Sequence, residues 1–477
     1  MSALLGPGTL LDILARTARD PGAHGCDEVE LSFEGGHLGT SRLAGSQLTQ
    51  SGDVVERTLR VRARVGARVG AASTGALADL PAAIARAAEA ARALADFPGP
   101  PDPPFAEVAD PAPDPRHASA MARSFRGETA ELGAAGRADL IARALPTARA
   151  AACHLAGVVA VALTEYAVAS TRGVKTYHRT TTAKLDLIAT RDDDARATGR
   201  ASAIVHDAST LGPEDQAAHA VETARRSAHA QPLEPGEYDV LLEPPAVAEI
   251  LEWLSFASFG SQSFTEQSSC LFGRAGETIT GPEITIYDDG LDPDPAALVS
   301  PTDAEGVRRR RVLLIDAGRA AGPVLDTAGA VRLGKTPNEA TGHAARVGET
   351  WQLGSVAQNL AMAPGDDSFE ALLGRVDRGL YIKRFHYVNG LLDTRRALMT
   401  GMTRFGTFRI DHGQIGPPMV NLRWTQGILE AFSRVGGITR QRRAVPVWWS
   451  PAGAMLVPAI LLRRFRFTGA TSDTARD

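Results

Sequence analysis

The sequence predicts an α+β fold in two domains: an α/β N-terminal domain over residues 1–232 and a β-rich C-terminal domain over residues 233–477. Three observations predict it. Helical and strand-like periodicities alternate through the first half of the chain. Pro232, Pro235 and Gly236 cluster at residues 231–236, which marks a boundary. Beyond that point one helical stretch is followed by short apolar runs punctuated by Gly and Asp, the mark of many short strands.

In order, residues 10–18 read as a short helix and residues 28–33 as a strand. Leu59, Val61, Ala63 and Val65 alternate with Arg60, Arg62 and Arg64, the period-two signature of a half-buried strand. An Ala-rich amphipathic helix follows at about 77–94. Residues 97–116 carry eight prolines and predict an extended connector. Then come a helix (136–152), a strand (155–163), a turn at Arg172-Gly173, a strand (174–190) and a helix (213–230). The C-terminal half predicts a helix at 245–258 and strands at 284–287, 312–315, 379–382, 406–410 and 445–448. No internal repeat is evident.

The 477 residues carry a net charge of −4, with 44% hydrophobic and 22% charged residues, which excludes disordered and fibrous classes. At 5% aromatic content the core must come mainly from Ala, Val and Leu. Only Lys175, Lys184, Lys335 and Lys383 are lysines; the remaining basic residues are Arg, a bias expected of a GC-rich genome. Without a basic excess, no nucleic-acid partner is expected. Cys26, Cys153 and Cys270 lie far apart, which predicts a reduced cytoplasmic protein with no disulfide frame and no Cys-based zinc site. No run of about 18 apolar residues and no basic-then-apolar leader occurs, so neither a membrane span nor a secretion signal is expected.

Several local motifs invite specific chemistry. GAVRLGKT at 329–336 matches the phosphate-binding P-loop letter for letter, but such a loop needs a strand directly before it and a helix directly after. Here only Val324-Leu325 precedes and Pro337 follows, so it reads as a plain loop. Asp288, Asp289, Asp292 and Asp294 lack the Gly turn and closing Glu of a calcium loop and read as a solvated turn. The serines of 255–269 form no nucleophile elbow and read as polar residues ending a helix. The arginines at 308–311 and at 440, 442 and 443 read as solvated faces or interface salt bridges.

A series of short pieces, in order, resembles the TldD/PmbA (modulator of DNA gyrase) family. The pieces are EYDVLLEP at 237–244, GRAGE at 273–277, IYDD at 286–289, DAEGV at 303–307, LIDAG at 314–318 and TGHAAR at 341–346, then PGD at 364–366, GLYI at 379–382 and TG at 400–401. The N-terminal half matches more loosely, through residues 59–94 and STRG at 170–173. The resemblance implies a peptidase connection. Its TldD branch carries an HExxxH motif on the helix that opens the C-terminal domain, with two His ligands for zinc and a Glu that polarises water. This chain has EWLSFA at 252–257 on that helix, no His between His229 and His343, and no Cys after Cys270. The resemblance is therefore to the TldE/PmbA-like branch. It implies a non-zinc subunit that pairs with a zinc-bearing TldD-like protein in proteolysis or maturation of peptides or unfolded segments. On this chain itself it implies neither a catalytic nor a metal-ligating residue. The alternatives are a stand-alone binding or structural protein and a non-metal enzyme of a biosynthetic pathway.

The candidate substrate-binding residues are His386, Tyr387, Asn389, Thr403 and Arg404. Together they supply donors, an aromatic ring and a neighbouring glycine turn, the mixture expected where a peptide docks. Arg404 has a planar fork suited to a carboxylate or backbone carbonyls, and His386 is expected to titrate near neutrality. The alternative is structural: an internal salt bridge for Arg404 and a satisfied core histidine at 386.

Overall fold

The computed structural model describes residues 4–107, 114–345, 354–448, 450 and 453–470. Two sheets carry the architecture. The first has six strands, β1 (Glu28–Ala44), β2 (Gln47–Val65), β3 (Arg68–Thr74), β4 (Cys153–Ser170), β5 (Lys175–Arg191) and β6 (Thr198–Val205). They run in the order β3-β2-β1-β4-β5-β6, every pair antiparallel, so the mixture of helix and strand is of the α+β kind. The helices of this half are α1 (Pro7–Ala18), α2 (Leu80–Ala93), α3 (Arg116–Ser124), α4 (Gly127–Ala130), α5 (Ala134–Ala150) and α6 (Pro213–Arg226).

The strand order exposes a repeat that the residues hide. The units α1-β1-β2-β3-α2 and α5-β4-β5-β6-α6 are the same helix, three-strand meander and helix, joined side by side through β1 and β4. Each meander buries one face under its own helices. Val29, Leu31, Leu59 and Val61 pack against Leu10, Leu14 and Ile84, and Leu155, Leu185 and Leu187 against Leu140, Ile141 and Ala220. A glycine in the last strand of each unit lets its helix approach closely. A Cβ on Gly70 would lie 2.0 Å from the Ala87 carbonyl oxygen, and one on Gly199 2.1 Å from that of Ala220.

The second sheet has thirteen strands. They are β7 (Glu237–Leu242), β8 (Ile286–Asp288), β9 (Val312–Asp316), β10 (Arg319–Ala320), β11 (Leu360–Met362), β12 (Arg378–Ile382) and β13 (Phe385–Asp393). The chain continues through β14 (Leu398–Thr403), β15 (Thr407–Asp411), β16 (Gln414–Pro418), β17 (Leu422–Gly427), β18 (Val435–Pro446) and β19 (Ala454–Ala470). The long β19 is the hub, pairing with β7, β11, β17 and β18 along its length. Helix α7 (Pro244–Ser258) follows β7 directly and sinks Leu251 and Leu254 into the main core. Aromatics are scarce but concentrated there: Phe385, Trp424, Phe465 and Phe467 stack in one cluster. Among the described residues no helix is long and apolar enough to cross a membrane.

The face of the first sheet that lacks helices is turned toward the second. The proline-rich connector, apart from 108–113, which lie outside the described residues, packs along it. Phe105 is buried, with the guanidinium carbons of Arg62 and Arg64 5.0 and 5.5 Å from its ring centre. From the other side the turn at residues 303–307 presses in. Asp303 Oδ1 accepts the N–H groups of Glu305 and Val307, and a Cβ on Gly306 would meet Val174 at 2.7 Å. Arg62 Nη1 lies 3.0 Å from Glu30 and 3.1 Å from Glu305, tying the sheets together. His206 bridges nearby: Nδ1–H donates to the Thr181 carbonyl at 2.6 Å, while Nε2 accepts from the Val299 N–H at 2.9 Å. Burial holds this ring's pKa near 4, so it stays neutral and can play both parts.

Several expectations need correction. The acidic run is interior rather than solvated, since Asp288, Asp289 and Asp292 are buried. Arg116 reaches Asp289 at 2.6 Å, Arg442 reaches Asp292 and Asp294 at 3.3 and 2.9 Å, and His343 lies 2.8 Å from Asp288. Of the two readings offered for Arg442, solvated face or interface salt bridge, the structure shows a salt bridge, made within the chain. The P-loop lookalike begins inside a short helix, Thr327–Arg332, and its Thr336 caps a single 3₁₀ turn with Glu339, so no phosphate-wrapping backbone forms. Of the expected strand at 445–448 only residues 445–446 are strand, as the end of β18, and β3, β6 and α3 are additional to the expected elements. Arg346, the last residue of the TGHAAR piece, lies outside the described residues.

Glu30 supplies a test of the junction. Burial pushes its pKa to about 7 against the pull of Arg62, and its Oε2 has no hydrogen-bond partner. The folded chain therefore holds this proton more tightly than the unfolded chain, whose carboxyl titrates near 4.5. Stability falls as pH rises between those values and the loss is complete above the folded pKa. Glu30→Gln should leave thermal stability unchanged near pH 4.5 and raise it at pH 8 by about 1–3 kcal/mol. Equal melting of variant and parent at pH 8 would show that Arg62 fully compensates the buried charge.

Candidate functional site

The candidate site lies where the open face of the first sheet meets α7 and the β13–β14 hairpin. In β5 and β6 the odd residues Leu185, Leu187 and Ala201 face the helices, which leaves Lys184, Asp186 and Arg200 on the opposite face. Arg200 grips Asp186 with two bonds, 2.8 and 2.5 Å. Asp186 is half-buried, yet this fork holds its carboxyl below the usual range, and the same pairing raises the pKa of Arg200 against its own desolvation.

From the second sheet, α7 contributes Glu249 and Glu252 one turn apart. Arg384, just ahead of β13, donates to Glu249 at 2.8 Å, and its carbonyl accepts from the Arg404 N–H at 3.0 Å. Glu252 is only 8% exposed and accepts one bond, from the Trp448 N–H at 3.2 Å. Burial, reinforced by neighbouring Glu249, pushes Glu252 to about 7, so it exchanges a proton near neutrality. Burial likewise raises Glu249, with Arg384 and Arg200 pulling it back. Lys184 and Arg384 are both lowered, first by burial and then by cationic neighbours. Phe405 floors this region, 5.8 Å from the Arg200 guanidinium and 5.0 Å from that of Arg404.

The residues expected from sequence fall into two groups. His386, Tyr387 and Arg404 share the rim of the cleft: the His386 ring lies 4.3 Å from that of Tyr387 and 6.5 Å from that of Phe405. Tyr387 is 76% exposed, and Arg404 is exposed with no carboxylate at ion-pair distance among the described residues. Asn389 and Thr403 are engaged elsewhere. Asn389 accepts from the Leu391 N–H at 2.8 Å in a local turn, and the buried Thr403 hydroxyl accepts from the Leu422 N–H at 2.9 Å between strands. His386 does not titrate near neutrality: burial, then Arg404, Arg200 and Arg384, lower it to about 4. Lys184, Asp186, Arg200, Glu249 and Arg384 were not singled out from sequence. The available signals were charges spaced by two in β5 and two acids one turn apart on a mostly apolar helix.

This donor set does not fit a zinc ion. The helix offers carboxylates but no imidazole, Glu249 is already paired with Arg384, and Lys184, Arg200 and Arg384 would repel a dication. Among the described residues no group of three or more His, Cys, Asp or Glu is placed to hold a metal. Arg404 offers an unpaired fork, Glu252 can donate or accept, and Tyr387 and Phe405 provide aromatic surface.

Comparison with known proteins shows what the chain resembles. Residues 235–469 match the model of the PmbA/TldA metallopeptidase C-terminal domain. A 219-residue stretch is 26% identical to a metalloprotease of Methanothermobacter thermautotrophicus, covering 46% of each chain. A 127-residue stretch is 32% identical to an uncharacterised protein of Methanocaldococcus jannaschii, covering 27% of this chain and 29% of that one. The matches thus span about half, or less, of those relatives. Among solved structures, TldE from Thermococcus kodakarensis superposes with TM-score 0.81 at 18% identity, over 96% of this chain and 100% of that chain. A candidate modulator of a DNA gyrase from Thermotoga maritima gives 0.80 at 19% identity, over 96% and 99%. At these identities the likeness is one of fold.

The electrostatics of the rim can be read directly. In an NMR titration the His386 ring should show a midpoint near pH 4, and Arg404→Gln should move it upward by removing the cation that lowers it most. A wild-type midpoint near 6.5 would show the ring to be solvated and uncoupled from the three arginines.

Proposed function

The chain belongs to the TldD/PmbA family, and from that premise we propose that it is the subunit without zinc in a TldD/TldE-type peptidase complex. In this reading residues 1–232 and 233–477 act as two domains whose cleft receives a peptide or unfolded segment, and a TldD-like partner carries the zinc and the hydrolysis. The complex works in the cytoplasm, in keeping with three buried free cysteines. One observation carries the proposal: α7 places Glu249 and Glu252 among Lys184, Arg200 and Arg384, a setting for binding a peptide and hostile to a metal ion. Arg404 and His386 hold substrate carboxylate or carbonyl groups at the rim, Tyr387 gives it an apolar surface, and Asn389 and Thr403 shape the hairpin that presents them.

Co-expression with a TldD-like chain should give a 1:1 complex on size exclusion, since obligate interfaces usually bury about 2,000 Å² or more. Two separate peaks at micromolar concentration would remove the assembly from the proposal. Arg404→Ala combined with His386→Ala should leave that complex intact and weaken peptide processing by about tenfold, the scale of one lost charge-assisted contact. Processing at the parental rate would dismiss these rim residues. The isolated chain should retain no stoichiometric zinc after dialysis; one bound equivalent, with chelator-sensitive cleavage, would reverse the assignment of roles.

The near-neutral Glu252 favours a second reading, a non-metal enzyme using that carboxyl as acid or base. Chelator-resistant turnover by the isolated chain, lost in Glu252→Gln, would select it.

A further inference from the structure

A cavity of about 480 Å³ shares no residue with the candidate site. Its wall is rich in arginine, with Arg274, Arg395, Arg396, Arg434 and Arg466 facing only two carboxylates, Glu237 and Glu430. Five positive charges against two leave a surplus of three. The two carboxylates are already engaged: Glu430 lies 3.3 Å from Arg434, and Glu237 lies 2.8 Å from Arg464, which is not part of the wall. Arg274 is matched by Glu277 at 2.9 Å. Arg395, Arg396 and Arg466 have no carboxylate at ion-pair distance among the described residues. Arg434 keeps a buried Nε–H with no hydrogen-bond partner.

The backbone beneath these cations is held in place. The tip of the β13–β14 hairpin is tied at three points: the Arg396 N–H donates to Asp393 Oδ1 at 3.1 Å, the Thr394 hydroxyl to the Ser268 carbonyl at 2.8 Å, and the Ile428 N–H to the Ala397 carbonyl at 3.0 Å. The Arg466 backbone N–H is held by Gln426 Oε1 at 3.2 Å. Like charges fixed around one concavity repel each other and raise a positive potential inside it, which an anionic ligand relieves. Arginine forks match the oxygen geometry of phosphate and carboxylate, and the volume falls within the roughly 300–1,000 Å³ typical of small-molecule sites.

We infer that this cavity is a binding site for a small polyanion bearing two or three phosphate or carboxylate groups. The inference stands independently of the peptidase reading. Calorimetry on the full chain at low salt, with inorganic pyrophosphate and citrate as probes, tests it. At least one probe should bind, more weakly as salt rises, and pyrophosphate alone or citrate alone identifies the phosphate or the carboxylate source. Arg395→Gln with Arg396→Gln, and separately Arg466→Gln, change exposed side chains. Each should weaken binding by about tenfold or more, while Arg19→Gln, remote in sequence on the α1 end, should not. The inference is overturned if neither probe binds at millimolar concentration, if the pocket variants bind like the parent, or if Arg19→Gln loses as much as they do.

Discussion

The contact on which the rest of the molecule depends is the pressing of the 303–307 turn into the open face of the first sheet. A sheet with helices on one side only leaves its other face to be covered, and here that face is charged. Arg62 between Glu30 and Glu305 satisfies part of that charge, but Asp303 and Asp326 also sit within the junction, and burial raises both. The junction therefore holds more buried carboxyl than cation, and protons make up some of the difference. Ion pairs of this kind fix geometry more reliably than they add stability. Fixed geometry is what the cleft requires, because its two walls come from different sheets.

Within the cleft, charge has been redistributed rather than removed. The positive charge there is covalent, supplied by Lys184, Arg200, Arg384 and Arg404, while burial raises Glu252 until it exchanges its proton near neutrality. A group of fixed cations and one near-neutral acid can orient a polar chain without activating water as a metal would. The aromatic cluster beneath β13 keeps this arrangement stiff, since Phe385 packs on Trp424 at 5.0 Å directly below the rim.

Much of the fold was legible because strand alternation is a local property. The period of two at residues 59–65 located β2 and assigned Leu59, Val61 and Ala63 to the core. The same alternation could not say that Arg60, Arg62 and Arg64 face another part of the protein, because what covers a polar face is decided by residues distant in the chain. The acidic run failed for that reason: Asp and Pro in succession look solvated until Arg116 and Arg442 arrive from elsewhere. Local reading pointed to His386 and Arg404 through the unusual density of donors near them, and the structure sets the two side by side. It missed Lys184, Arg200 and Glu249, which only the packing of two sheets brings together. It also credited Thr403 with an outward role, although strict alternation along β14 turns that hydroxyl inward.

The doubled meander of the first sheet has one more implication. Because β1 and β4 meet side by side, the two copies present equivalent faces, β2 in one corresponding to β5 in the other. The β2 face is covered by the connector and the 303–307 turn, and serves as foundation. The β5 face leaves Lys184 and Asp186 along the cleft, and serves as wall. A single architectural motif is thus used twice: β2 commits its polar face to adhesion, while β5 divides its own between adhesion at His178, which meets Thr302, and the charged cluster at Lys184 and Asp186.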